Sequence, residues 1–408
     1  MRLLVASCNE DSDDTVAICE TPTNVNISNI SFDTASISWQ NENDTSSFII
    51  EYGESGFSVG TGITAASEAT TLTLTDLTPD TNYDLYIKAF CGVNNESILS
   101  QAVTFTTLAP PVIPQFLQNL SDLNVFQGAL SDLNPSIYTF EYEPSSSLFA
   151  DYAYKQRIVA LPNGEKMIYD GDDLLPDFPD NTLIAKTFFY YNNEANTSQG
   201  RQIIETRILI KNNGTWQSGN YKWNANQTDA VLDPTESDVV IEYVDLNGVN
   251  RTVNYTIPDN NACLICHGNN SQLKPIGIKF RSLNYNNQLQ DLIDNNHVDG
   301  LADASTVASM PNYNDTSKSL ESRARAYFDS NCAYCHTAGG FCEVQSDLRL
   351  DYETPFNDTV IYERRVSIDM RMGNFIPGFS MPFIGTSMVH TEGYDLISMY
   401  LELSLIHI

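Results

Sequence analysis

The chain has 408 residues, 42% of them hydrophobic, with 21 Tyr and 19 Phe, which is the composition of folded, aromatic-rich domains and length enough for several. Lys and Arg number 21 against 52 Asp and Glu, for a formal net charge of −31; this argues against nucleic acid and against anionic membrane surfaces as partners. No apolar run of about 18 residues occurs, so no membrane-spanning helix is expected.

Residues 1–20 begin Leu4-Val5-Ala6-Ser7-Cys8, followed by the acidic run Asn9-Glu10-Asp11-Ser12-Asp13-Asp14. The first five resemble a lipobox, in which the cysteine becomes a lipid-bearing first residue. The apolar region before it is too short for a working signal, so a truncated lipoprotein signal and an acidic tether are expected here. A lipid anchor through Cys8 would place the chain in the periplasm or on the cell surface of a Gram-negative bacterium.

Residues 21–108 carry short alternating strands at turn-punctuated intervals: 24–30, 34–39, 48–52, 70–74, 83–90 and 102–107. That rhythm predicts an all-β sandwich. Trp39 closes one strand and would fill the core. Tyr83, after Leu77-Thr78-Pro79-Asp80-Thr81-Asn82, can bond back to upstream backbone. The stretch resembles a fibronectin type III domain, with Trp39, Leu77, Pro79, Thr81 and Tyr83 at the family's marker positions. Cys19 and Cys91 resemble the disulfide-bearing bacterial variant, and oxidising surroundings would permit that bond. No catalytic group is evident in this domain.

Ala109-Pro110-Pro111 and Pro114 form a stiff linker. Phe116, Leu117, Leu120 and Leu123 then have a helical period, predicting one amphipathic helix over 116–125. From Ile137 the signal returns to β, with strands over 156–161, 183–191, 202–211, 219–223, 239–243 and 251–257. Asn163-Gly164, Asn213-Gly214 and Asn247-Gly248 mark hairpins. Residues 112–257 thus form a second β-rich domain. Within it Glu205 and Arg207 fit a surface pair, or an arginine wall beside a cofactor. Asp170-Gly171-Asp172-Asp173 is acidic enough for Ca²⁺ but lacks the rest of a ligand loop.

The last third opens at Pro258, where the period lengthens toward 3.6. It holds Cys263-Leu264-Ile265-Cys266-His267 and Cys332-Ala333-Tyr334-Cys335-His336. Two thiols three apart can each add to a vinyl group of one haem, and the adjacent imidazole then meets the iron. A zinc ribbon or a pair of redox disulfides would account for the cysteines but not for a histidine at the same offset twice. With 5 His in the chain, that coincidence has a chance on the order of one in several thousand. Two covalently attached haems c are therefore expected on Cys263, Cys266, Cys332 and Cys335, with His267 and His336 as iron ligands. Met310-Pro311 and Met381-Pro382 follow the two histidines at nearly equal distances. A thioether opposite imidazole raises the potential and closes the iron to outside ligands. Met310 and Met381 are the expected sixth ligands, with His297, Met370 and Met372 as competitors. Pro275-Ile276-Gly277 offers a carbonyl to orient His267. Gly339-Gly340 would let backbone approach the porphyrin edge, and Arg325, Arg364, Arg365 and Arg371 could meet propionates.

Helices over 317–330 and from Thr391 onward flank the second motif, the arrangement of a class I cytochrome c domain. Residues 258–317 would then be a first haem segment and 318–402 a cytochrome c domain, giving a multidomain chain of two β-rich parts and one mainly α part. Residues 403–408 resemble a translated sequencing adapter and are given no role.

From about 116 to 401 the chain also resembles an uncharacterised bacterial family of dihaem c-type cytochromes. The resemblance rests on Leu148-Phe149-Ala150-Asp151-Tyr152-Ala153, Ile204-Glu205-Thr206-Arg207, Trp223-Asn224-Ala225-Asn226-Gln227-Thr228-Asp229-Ala230, Pro275-Ile276-Gly277 and Arg323-Ala324-Arg325-Ala326-Tyr327 before the second motif. It implies electron transfer between a dehydrogenase-type donor and a downstream acceptor. Some relatives carry a sugar-dehydrogenase-like domain, which implies a quinoprotein donor, here a separate protein. A dihaem peroxidase with an open site at the first haem, and a surface glycan-binding protein with a redox accessory, are the alternatives.

Overall fold

The computed structural model describes residues 18–43 and 47–403; Cys8, its acidic tether and residues 404–408 lie outside them. The chain divides into two compact units, residues 1–111 and 112–408. No helix among the described residues is long and apolar enough to cross a membrane.

The first unit is a β-sandwich of two antiparallel sheets. One contains β1 (Thr23–Ser28), β2 (Ala35–Gln40) and β5 (Thr71–Leu74). The other contains β3 (Ser47–Glu54), β4 (Ile63–Ser67), β6 (Asn82–Gly92), β7 (Asn95–Glu96) and β8 (Val103–Thr106), the last two both paired with β6. Alternation puts Ile37, Trp39, Phe48, Ile50, Leu85 and Ile87 inward. Trp39 packs edge-on against Phe48. The Tyr83 hydroxyl accepts the backbone N–H of Thr78 at 2.9 Å, and Cys19 and Cys91 are disulfide-bonded. β4 has no counterpart among the expected strands, because its Ile63 points to solvent and its remaining residues are small.

The second unit is built on a six-stranded antiparallel sheet in the order β15-β14-β13-β12-β10-β9. These are β9 (Thr139–Glu141), β10 (Tyr154–Ala160), β12 (Leu183–Tyr191), β13 (Arg201–Asn212), β14 (Thr215–Trp223) and β15 (Ala230–Leu232). A short β11 (Met167–Ile168) lies off this sheet, and β16 (Ser237–Val244) and β17 (Asn250–Ile257) make a separate hairpin. Asn213 and Gly214 both have positive φ, the geometry that lets a two-residue turn follow the strand twist between β13 and β14.

Both faces of the large sheet are covered. One face carries Ile158, Leu183, Ala185, Ile208 and Tyr221, under residues 112–135. Residues 116–125 do not form the expected helix: Leu120 N–H donates to the Ala230 carbonyl and Leu232 N–H to that of Gln118. Pairing with the free edge of β15 has claimed the backbone, leaving a single 3-10 turn at Ser121–Leu123. Phe116 packs on the bare face of Gly219, where a Cβ would lie 2.5 Å from its ring.

The opposite face meets the rest of the chain. Val159, Ile184 and Leu209 pack with Ile278, Phe280 and Leu289, while Phe188 and Tyr190 pack with the β16–β17 hairpin. This last third contains α1 (Asn260–His267), α2 (Phe280–Leu283), α3 (Gln288–Asp294), α4 (Leu320–Phe328), α5 (Phe356–Thr359), α6 (Ile361–Met372) and α7 (Thr391–Leu403). Asp259 caps α1 by accepting Ala262 N–H at 2.7 Å, and Ser319 caps α4 through Ser322 N–H. Thr391 is the first residue of α7 rather than its cap; Tyr394 N–H bonds to the His390 carbonyl.

Candidate functional site

The two Cys-x-x-Cys-His motifs are brought side by side. The first ends α1, and the second runs from a five-residue π turn, Asp329–Ala333, that continues α4. The loop after the first grips the loop after the second: Asn270 N–H donates to Gly339 O at 2.8 Å and the Asn269 amide to Ala338 O at 2.9 Å. This contact needs the glycines. A Cβ on Gly339 would lie 2.6 Å from the Asn270 amide, and one on Gly340 would lie 2.7 Å from the Cys335 carbonyl. Gly339-Gly340 therefore serves motif-to-motif packing. The Cys335 thiol donates to the Ile265 carbonyl of the first motif at 3.4 Å.

Each motif borders a cavity. The first, about 850 Å³, is lined by Cys266, His267, Met310, Tyr334, Arg157 and Lys186 among others. The second, about 360 Å³, is lined by Cys332, Cys335, His336, Met381, Met372 and Arg371 among others. Cys266 and Tyr334 border both, so the cavities share a wall. The structure thus places each sequence-predicted methionine in the cavity of its own histidine. Met372 remains a rival to Met381. Met370 is half-exposed and borders neither cavity, and His297 stacks on Phe140 at 4.4 Å, away from both. Cys263 borders neither, and its thiol donates to the Asp259 carbonyl at 3.8 Å.

The donor set fits imidazole–thioether ligation. His267 Nδ1 bonds to the Lys274 carbonyl at 2.8 Å. A carbonyl here accepts the Nδ1 proton and leaves Nε2 as the free base. The acceptor is one residue before the expected Pro275-Ile276-Gly277. Burial, with Lys186 and Arg207 nearby, pushes the His267 pKa down to about 4, so the ring is neutral and its lone pair available. His336 is buried with Nδ1 lacking any partner, a cost of about 1–3 kcal/mol for a polar atom left unmet. Burial pushes the Cys332 thiol up to about 12 and raises those of Cys263 and Cys342. Among the described residues no three His, Cys, Asp or Glu side chains converge as a metal cluster.

The segment Leu148–Ala153 acts as a clasp on the second motif. Phe149 stacks on His390 at 4.2 Å, nearly parallel, and its N–H donates to Asn331 Oδ1 at 2.7 Å. Buried Asp151 accepts the Ser387 N–H and hydroxyl, fixing the loop that follows Met381-Pro382. Arg371 donates to the Phe379 carbonyl, and the Met381 N–H donates back to the Arg371 carbonyl at 2.9 Å. Arg325 is consumed by the carbonyls of Asp351, Tyr352 and Thr354. Arg364 pairs with Asp347, and Arg365 lies on Tyr362. Of the four arginines singled out by sequence, only Arg364 and Arg371 border a cavity. Asp172 accepts the Tyr169 hydroxyl and the Ala308 N–H, and Asp173 pairs with Arg281, so these two carboxylates of the 170–173 run serve internal contacts.

Glu205 and Arg207 form an ion pair in which the glutamate side chain is fully buried, so the surface reading is corrected. Their face of the sheet is covered by the first motif. Arg157 and Lys186 beside them were missed. Lys186 and Thr187 interrupt the apolar run Leu183-Ile184-Ala185 to Phe188-Phe189, and of the two only Lys186 is charged, a cation on a strand buried on both faces.

A fibronectin type III family model matches residues 20–106, and the first unit is such a domain. Among solved structures, a computationally redesigned β-sandwich protein aligns at 28% identity, over 22% of this chain and 98% of its own, with a TM-score of 0.21. The fibronectin type III domain of human fibronectin type III domain containing protein 3 aligns at 19% identity, over 24% and 94%, with a TM-score of 0.21. The FN5 domain of Drosophila Lar aligns at 18% identity, over 23% and 100%, with a TM-score of 0.20. No curated protein matches the chain.

Proposed function

We propose that the second unit is a dihaem c-type cytochrome that works outside the cytoplasm, carrying electrons from a dehydrogenase-type donor to a downstream acceptor. The observation that carries this reading is the matched pairing of each motif histidine with one Met-Pro methionine in a common cavity, the two cavities sharing a wall.

Each bound haem would supply an iron cycling between Fe(II) and Fe(III). Cys263, Cys266, Cys332 and Cys335 would hold the two groups covalently; Cys263 must turn from the Asp259 carbonyl to do so. His267 and His336 would present neutral imidazole nitrogens, the former oriented by the Lys274 carbonyl. Met310 and Met381, each lining the cavity of one motif histidine, would supply thioether ligands that favour the reduced state. Cys266 and Tyr334, lying between the cavities, would hold the two groups close enough for exchange inside one chain. The fibronectin type III unit and its disulfide agree with an extracytoplasmic setting.

The test is an absorption spectrum of protein matured in a host that attaches haem c, with haem quantified per chain. Two low-spin haems with thioether-type ligation are expected. A colourless protein overturns the reading, and high-spin haem with peroxide turnover replaces it with the peroxidase alternative.

A further inference from the structure

Arg157, Lys186 and Arg207 stand directly opposite one another on the adjacent strands β10, β12 and β13. Like charges so placed repel, and here they repel on a covered face of a chain whose net charge is −31. Arg207 is answered by Glu205. The other two are not. Arg157 is 6% exposed, and its guanidinium donates to the Ser147 hydroxyl at 3.3 Å and pairs with no carboxylate among the described residues. Lys186 has no hydrogen bond or ion pair there; its ammonium sits 5.1 Å from the Phe188 ring.

Both line the first cavity. Most acids of that wall are engaged elsewhere: Asp177 by Lys211, Asp173 by Arg281, and Asp329 and Asp351 by Lys279. Neither Arg157 nor Lys186 thus has an ion-paired carboxylate among the described residues, and burial beside Arg157 lowers the Lys186 pKa well below 10.5; an anion entering the cavity would restore that charge and meet both groups. The space is also more than twice the volume of the second cavity, although the proposed function asks both to seat the same group.

We propose that Arg157 and Lys186 are a binding pair for a carboxylate within the first cavity. The carboxylate comes either from a propionate of the haem seated there or from a small diffusible acid beside it. The first source rests on the dihaem reading; the second stands without it. A guanidinium and an ammonium on neighbouring strands suit one carboxylate, since each gives a charge-assisted hydrogen bond to a different oxygen.

The test compares the matured full chain with Lys186→Gln, Arg157→Gln and the charge-keeping Lys186→Arg. Succinate is titrated by calorimetry, with succinamide as the neutral control, and both reduction potentials are measured. With a diffusible acid, succinate binds the native chain, and either glutamine variant weakens it about tenfold or more while Lys186→Arg retains it. With a propionate, added succinate has no effect and the glutamine variants make one potential more negative, the other holding. The proposal is overturned if neither succinate binding nor either potential responds. Should the protein carry no haem, the dihaem reading fails, and succinate binding by the colourless chain, lost or kept in the variants, still decides this one. If Lys186→Gln does not fold, Lys186→Met, which fills the same space with an apolar chain, replaces it.

Discussion

Gly393 of α7 lies on the ring of Tyr327 in α4 so closely that a Cβ would fall 2.4 Å from two of its ring carbons and from its hydroxyl oxygen. The two helices cross there, and the crossing is set by the missing side chain. Gly393→Ala should therefore destabilise the second unit by about 1–3 kcal/mol through overpacking. That outweighs the gain of up to about 1 kcal/mol that alanine brings to a helix. Urea denaturation measures it, and an unchanged or raised midpoint would show that the helices do not cross on Gly393.

The Tyr327 hydroxyl also meets His390 Nδ1 at 3.0 Å, and burial lowers the His390 pKa to about 4. The ring is neutral when folded and protonates near 6.5 when unfolded. Its contribution is present above pH 6.5 and is lost as pH falls from there toward 4. The melting temperature of the native chain should fall more steeply over that window than that of His390→Gln. Parallel curves would remove His390 from the account.

Lys155 shows the same linkage at alkaline pH. Burial beside Arg157 and Arg207 lowers its pKa from 10.5 to about 7. Between those values the unfolded chain binds the extra proton, so stability rises as pH increases from 7 toward 10.5. Lys155→Met should flatten that rise and raise stability at pH 7. Thermal melts at pH 7 and 10 test both effects, and a less stable variant at pH 7 would contradict them.

In the first unit, the Cys19–Cys91 bond spans 72 residues of chain. Replacing both cysteines by serine should cost about 2–4 kcal/mol, mainly through a freer unfolded state. Comparing the denaturation midpoints of native and variant chains measures it; equal midpoints would show that the bond adds nothing.

Under the dihaem reading, Met381→Ala should lower one potential and abolish one thioether-to-iron charge-transfer band. Met372→Ala should leave both unchanged although Met372 borders the same cavity. A redox titration that shows the reverse exchanges their roles.

Much of the fold was legible because strand alternation and Asn-Gly turns are local signals. The helix expected over 116–125 failed for a non-local reason. Phe116, Leu117, Leu120 and Leu123 suit a helix or an irregular edge segment equally, and the open edge of β15 decided between them. The motif histidines and both Met-Pro methionines could be named from spacing alone. Arg157 and Lys186 could not, because one strand's alternation does not reveal that residues a hundred positions later cover its charged face. The clasp from Phe149 to Asp151 was visible only as a resemblance until Ser387, Asn331 and His390 gave it partners.

The shared wall of Cys266 and Tyr334 also sets an order of assembly. A chain that emerges from its N-terminus presents Cys263 and Cys266 while Met310, Tyr334 and the Asn270–Gly339 clamp are still to come. Under the dihaem reading, the first seat would then lack the Met310 and Tyr334 side of its cavity, and both thiols would be open to attachment. Arrival of the second motif closes both seats together. On that reading, a chain cut short before Gly339 would expose the first motif, which lacks the Asn270 and Asn269 contacts to the second.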